Sequence, residues 1–68
     1  MDFHVECEAE EDGRWIGEVP ELPGVLVYGQ SADEATIKAQ TLALRVIAER
    51  LEHGETRPQS VHILLTAA

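Results

Sequence analysis

Val19-Pro20-Glu21-Leu22-Pro23-Gly24-Val25-Leu26-Val27-Tyr28-Gly29-Gln30-Ser31-Ala32-Asp33-Glu34-Ala35 is the stretch on which the fold turns. Pro20 and Pro23 remove two backbone donors and hold the residues before them extended, so the segment is neither a central strand nor a helix interior. It is a shaped connection. Pro23-Gly24 suits the middle of a type II turn, proline setting φ at the second position and glycine accepting positive φ at the third. Val25 to Tyr28 follows as a short apolar strand without alternation, which predicts cover on both faces. Gly29-Gln30 ends it. Ser31 then stands as a helix N-cap with Glu34 three residues on, the capping-box spacing. Asp33 and Glu34 place negative charge at the positive end of the helix dipole.

No proline or glycine interrupts the chain from there to about Glu52, and His53-Gly54 supplies a stop with a left-handed cap at Gly54. The predicted helix is about twenty residues long. At about 100° per residue, Ala35, Ala39, Leu42 and Val46 form one stripe with Ala43 beside it, small enough for close approach to a sheet. Ile37, Leu44, Ala48 and Leu51 fall roughly opposite, reached through Ile47. Glu34, Lys38, Thr41, Arg45, Glu49 and Glu52 share a narrow polar arc. A helix lying on one sheet needs a single apolar stripe, somewhat over about 100° wide. The surplus predicts a second contact, and Ile37, Leu44, Ala48 and Leu51 are the expected interface of a homo-oligomer, a dimer or higher.

Upstream, Asp2 to Glu10 alternates, with Phe3, Val5, Cys7 and Ala9 on one side and His4, Glu6, Glu8 and Glu10 on the other, the mark of a half-buried strand. Glu11-Asp12-Gly13 is turn chemistry. Arg14 to Val19 returns as an antiparallel strand, with Trp15, Gly17 and Val19 on one face and Arg14, Ile16 and Glu18 on the other. Periodicity does not say which face is buried. Downstream, Glu55 to Gln59 is a polar link, and Ser60 to Thr66 reads as a last strand with Val61, Ile63 and Leu65 on one face. The order β-β-β-α-β predicts a small α+β fold, an antiparallel-rich sheet with one long helix packed on one face, spanning residues 1–68 as a single domain.

Sixty-eight residues bury a thin core, and so small a domain commonly adds a disulfide, a metal or an oligomer interface. One cysteine, Cys7, excludes an internal disulfide and lacks the spacing of a zinc site. Thirteen acidic against five basic side chains give a net charge of −8, which opposes direct binding to nucleic acid or to anionic membranes. The same charge suits a basic protein partner. No apolar run reaches the roughly 18 residues of a membrane span, and the N-terminus lacks the basic and apolar regions of a signal peptide, so a cytoplasmic protein is expected.

The chemistry-bearing residues read as structural. His4 and His62 lie on predicted strands without a third ligand in any recognisable spacing, and His53 suits the negative end of the helix dipole. Glu6, Glu8, Glu10, Glu11 and Asp12 form a solvated strand face running into a turn, whereas a metal nuclease gathers carboxylates from separate elements around two ions. Cys7 shares a face with Phe3 and Val5 and reads as a small core residue, and Ser31 is already used as a cap. Trp15 and Tyr28 are the expected main core volume. No catalytic residue, cofactor or metal site is assigned, and the chain is not expected to be an enzyme.

Three features resemble the HicB-like antitoxins of bacterial type II toxin–antitoxin systems: Asp12-Gly13-Arg14-Trp15; Glu18-Val19-Pro20-Glu21-Leu22-Pro23-Gly24; and Gly29-Gln30-Ser31-Ala32-Asp33-Glu34-Ala35. The resemblance covers roughly the first fifty residues, in one order and with compatible spacing. It implies a partial ribonuclease-H-like fold and a protein-binding module that neutralises a small basic HicA-type messenger-RNA interferase by covering its active site. Many members also carry a C-terminal DNA-binding domain, whereas here only Ala67-Ala68 follow Thr66, so a short stand-alone member without operator binding is expected. The contacts expected from exposed acid and the rigid connection are Glu6, Glu8, Glu21, Leu22 and Tyr28. The alternatives are a small oligomeric scaffold or ligand-binding domain with no toxin partner, and a nuclease retaining metal chemistry.

Overall fold

The alternation at the N-terminus folds as β1 (Asp2–Ala9), with Phe3, Val5 and Cys7 buried and His4, Glu6 and Glu8 exposed. A computed structural model describes residues 2–55 and 61–67, with side chains as far as Ile63. β1 is followed by β2 (Trp15–Glu18), β3 (Leu26–Gly29), α1 (Ala32–Glu52) and β4 (His62–Ala67). The predicted link Thr56 to Gln59 and the strand start at Ser60 lie outside the described residues, and the face expected of Leu65 lies outside the described side chains.

The sheet order is β3-β2-β1-β4. β1, β2 and β3 form an antiparallel meander, and β4 lies parallel to β1 with Asp2 opposite His62 and Phe3 opposite Ile63. A strand that returns through a helix crosses the sheet and can pair parallel, whereas the two hairpin connections enforce antiparallel neighbours. The first hairpin closes through a three-residue loop, Glu10 N–H donating to Arg14 C=O at 2.7 Å and Gly13 N–H to Glu10 C=O at 3.1 Å.

Between β2 and β3 the Pro-Glu-Leu-Pro-Gly connection forms the expected turn. Val25 N–H donates to Leu22 C=O at 3.0 Å, and Gly24 takes a φ of +94°, the positive value a type II turn requires at that position. Two further bonds, Leu22 N–H to Val19 C=O at 2.9 Å and Val19 N–H to Val25 C=O at 3.1 Å, fasten the loop across its base. They turn Leu22 inward, where it is 1% exposed among Val5, Val19 and Val25. Leu22 is therefore a core residue. The expectation that it contacts a partner is corrected.

α1 begins at Ser31, whose Oγ accepts from Glu34 N–H at 3.1 Å. The return arm differs from a closed capping box: the Glu34 carboxylate takes the N–H of Gln30, at 3.3 Å, rather than that of Ser31. At the other end Gly54 N–H donates to Leu51 C=O and Glu55 N–H to Arg50 C=O, with Gly54 at φ +68°. This is the paired-bond left-handed stop expected at His53-Gly54.

The helix lies on the sheet through Ala35, Ala39, Ala43 and Ile47, all buried, with Leu42 and Val46 half-buried beside them. Ile47 is 6% exposed and belongs to this stripe, not to a bridge toward the opposite one. The approach is close because β2 and β3 offer glycine beneath it. A Cβ at Gly17 would stand 2.4 Å from the Ala35 carbonyl oxygen, and one at Gly29 2.6 Å from the Ala35 nitrogen. This contact also settles the faces of β2: Gly17 and Val19 look toward the helix.

The core is thus aliphatic, with Phe3 its aromatic member. Trp15 is half-buried at the end of β2, and Tyr28 is 42% exposed, so neither supplies the main core volume. Double cover of Val25 to Tyr28 is also corrected. β3 is an edge strand whose Val27 and Gly29 face the helix while Leu26 and Tyr28 face solvent. Its apolar outer residues are left bare. Among the described residues no helix is long and apolar enough to cross a membrane.

Candidate functional site

Among the described residues one helix packs on one sheet, so the sheet has one covered face. The register assigns the residues of the other. Glu6 stands opposite Glu18, which stands opposite Leu26; Glu8 stands opposite Ile16, which stands opposite Tyr28. Directly opposed residues point to the same side, so two rows run across the open face from acidic at β1 to apolar at β3. Leu26 is 49% exposed. Two carboxylates in direct cross-strand register repel each other, and the fold keeps Glu6 and Glu18 in that position.

Arg14 stands at the apolar end. Its N–H donates to Asp12 Oδ1 at 3.0 Å, its Nε donates to Oδ2 at 2.7 Å, and its guanidinium lies 4.3 Å from the centre of the Tyr28 ring. The backbone and side-chain bonds from Arg14 hold the Asp12 carboxyl below its usual range. The ring of Tyr28 is thereby braced on one side while remaining open to solvent.

Glu21 borders the same face. β2 ends at Glu18, opposite Glu6, so the β1–β2 ladder stops short of His4. The Glu21 side chain takes its place: Oε1 accepts from His4 N–H at 3.0 Å and Oε2 meets His4 Nδ1 at 2.5 Å. The side-chain bond to Glu21 raises the His4 pKa, and the backbone and side-chain bonds from His4 lower that of Glu21. At the far edge His62 Nδ1 lies 2.9 Å from Asp2 Oδ1. Each of these two histidines is thus paired with a carboxylate.

Of the expected contact residues, the fold brings Glu6, Glu8, Glu21 and Tyr28 to one open face and removes Leu22 to the core. It adds Ile16, Glu18 and Leu26, which sequence reading did not name. Alternation along β2 already groups Ile16 with Glu18, and the register together with the helix-facing side shows that pair and Leu26 to belong to the open face. Cys7 is 1% exposed, with Sγ 2.7 Å from Thr36 Oγ1 beneath the first turns of α1. It packs as the small core residue expected. Among the described residues no three of His, Cys, Asp and Glu converge as a metal site. Glu10, Glu11 and Asp12 line a shallow, open concavity at the hairpin tip.

The predicted oligomer stripe lies elsewhere, on the helix side away from the sheet. Ile37 is 63%, Leu44 50% and Leu51 44% exposed, and Ala48 is exposed between them. Comparison with protein-family models, with curated proteins and with solved structures returns no match to this chain.

Proposed function

We propose that the chain is a protein-binding module of the HicB-like antitoxin type, whose bare sheet face docks on a small basic HicA-type interferase and covers its active site. The observation that carries this reading is the pairing of Glu6 with Glu18 beside exposed Leu26 and Tyr28. A basic side chain arriving between the two carboxylates relieves their repulsion. The adjacent apolar residues supply the desolvated centre that an interface needs, with an aromatic anchor. The β-β-β-α-β order agrees with the partial ribonuclease-H-like fold implied by the resemblance at Glu18 to Ala35. In this reading the protein acts by occlusion rather than catalysis, in the cytoplasm where messenger RNA is found.

Inhibition is the test. The neighbouring reading frames are searched for a small basic HicA-type interferase, and the one found is assayed for RNA cleavage with the chain in excess. Cleavage is expected to stop, and to return when Glu6→Lys and Glu18→Lys are combined. Affinity is expected to fall steeply with salt, because opposite charges drive the encounter. Undiminished cleavage in the presence of excess folded chain refutes the reading.

A further inference from the structure

The outward side of α1 carries a second surface with a different charge pattern. Ile37, Thr41, Leu44, Ala48 and Leu51 recur at alternating steps of four and three residues, the spacing of a coiled-coil seam. All five are exposed. They lie opposite the buried Ala35, Ala39, Ala43 and Ile47, so the seam is unused by the sheet.

We propose that α1 docks along this seam against α1 of a second copy, antiparallel, with the two-fold axis passing midway between Leu44 and Ala48. In that register each Leu44 is level with the partner's Ala48, and each Thr41 with the partner's Leu51. A large side chain faces a small one in every layer, which lets the helices approach closely without voids. Ile37 closes the seam beyond the partner's Leu51. A parallel pair would stack Leu44 on the partner's Leu44 and Ala48 on the partner's Ala48, leaving gaps at the small layers.

Charge identifies the occupant. The two-fold lays one flank of α1 against the same flank reversed, which brings Arg45 beside the partner's Glu49, while Lys38, level with the partner's Glu52, already bonds Glu34 at 3.1 Å and the Tyr28 carbonyl at 3.2 Å within its own chain. The Arg45–Glu49 pair forms twice. A flank carrying both signs in this order is self-complementary, as an isologous interface requires. The sheet face, by contrast, gathers carboxylates and suits a basic partner. The two surfaces lie on opposite sides of the molecule, so a dimer leaves both sheet faces free.

Sedimentation equilibrium from micromolar to millimolar concentration tests the proposal. The expected mass rises from 7.5 kDa toward twice that value. Leu44→Glu, at a solvent-facing position that leaves the fold intact by circular dichroism, raises the dissociation constant about a hundredfold, because two leucine side chains leave one interface. Leu26→Glu on the sheet face leaves it unchanged. For orientation, Thr41→Cys combined with Leu51→Cys cross-links two chains on oxidation, whereas Thr41→Cys alone does not. A monomeric mass throughout, a dimer lost through Leu26→Glu but not Leu44→Glu, or efficient cross-linking by the single cysteine variant overturns the proposal.

Discussion

Replacing Leu22 by alanine separates packing from recognition. Leu22 is 1% exposed, and its N–H and C=O are both bonded within the loop, to Val19 and from Val25, at 2.9 and 3.0 Å. Alanine keeps both bonds, so the change deletes side-chain volume alone. Buried Leu→Ala changes cost about 2–5 kcal/mol, more where the surroundings cannot collapse. Pro20 and Pro23 stiffen the loop on either side, which places this site in the upper half of that range. A chain of 68 residues at about 0.05–0.15 kcal/mol per residue has only about 3–10 kcal/mol to lose. Urea unfolding followed by Trp15 fluorescence, at one low protein concentration, reads the change. With a slope of about 1 kcal/mol per molar, the midpoint is expected to fall by about 4 M or the protein to be unfolded without denaturant. Tyr28→Ala, on the open face, is expected to move it little. A Leu22→Ala midpoint within about 0.5 M of the parent refutes the placement of Leu22 in the core.

Gly17→Ala would set a Cβ 2.4 Å from the Ala35 carbonyl oxygen and 2.9 Å from its carbon, so the helix must lift from the sheet. A loss of about 2–3 kcal/mol in the same assay is expected, and a neutral result contradicts the close approach. Glu21→Gln retains an acceptor for His4 N–H and removes the charge. A raised His4 pKa stabilises fully below the ordinary 6.5 and is lost as pH climbs through the raised value. A lowered Glu21 pKa stabilises above the ordinary 4.5 and is lost as pH falls through the lowered value. The difference in Tm between parent and Glu21→Gln is therefore expected to peak between pH 4.5 and 6.5 and to shrink above neutrality. A difference that does not vary with pH contradicts the pair. By NMR titration, the variant's His4 returns toward 6.5.

Part of the candidate face was legible in the chain. Glu6 and Glu8 alternate with Phe3, Val5 and Cys7, so their exposure follows from the pleat of one strand. Glu18 and Leu26 were not, because their significance comes from standing beside Glu6 across two strand pairings. Tyr28 was visible as a recognition candidate and equally as core, since an aromatic side chain serves either use. Only the side of the sheet that α1 covers decides between them: Val27 and Gly29 face the helix and Tyr28 faces the open side.

The element order, the turn at Pro23-Gly24, the cap at Ser31, the stop at Gly54 and the two apolar stripes of α1 are all legible along the chain. Each depends on backbone dihedrals or side-chain periodicity within a few residues, which neighbouring residue types set directly. Tertiary structure alone decided the order β3-β2-β1-β4, the parallel pairing of β4, the burial of Leu22 and the bond between His4 and Glu21. These join residues far apart in the chain, and hydrophobic patterning says that a side chain is apolar without saying what covers it. In Val25 to Tyr28 the same unbroken apolar run fits a strand covered on both faces and an edge strand with one face bare. The single helix layer made it the second, and so left Leu26 and Tyr28 open beside the paired carboxylates.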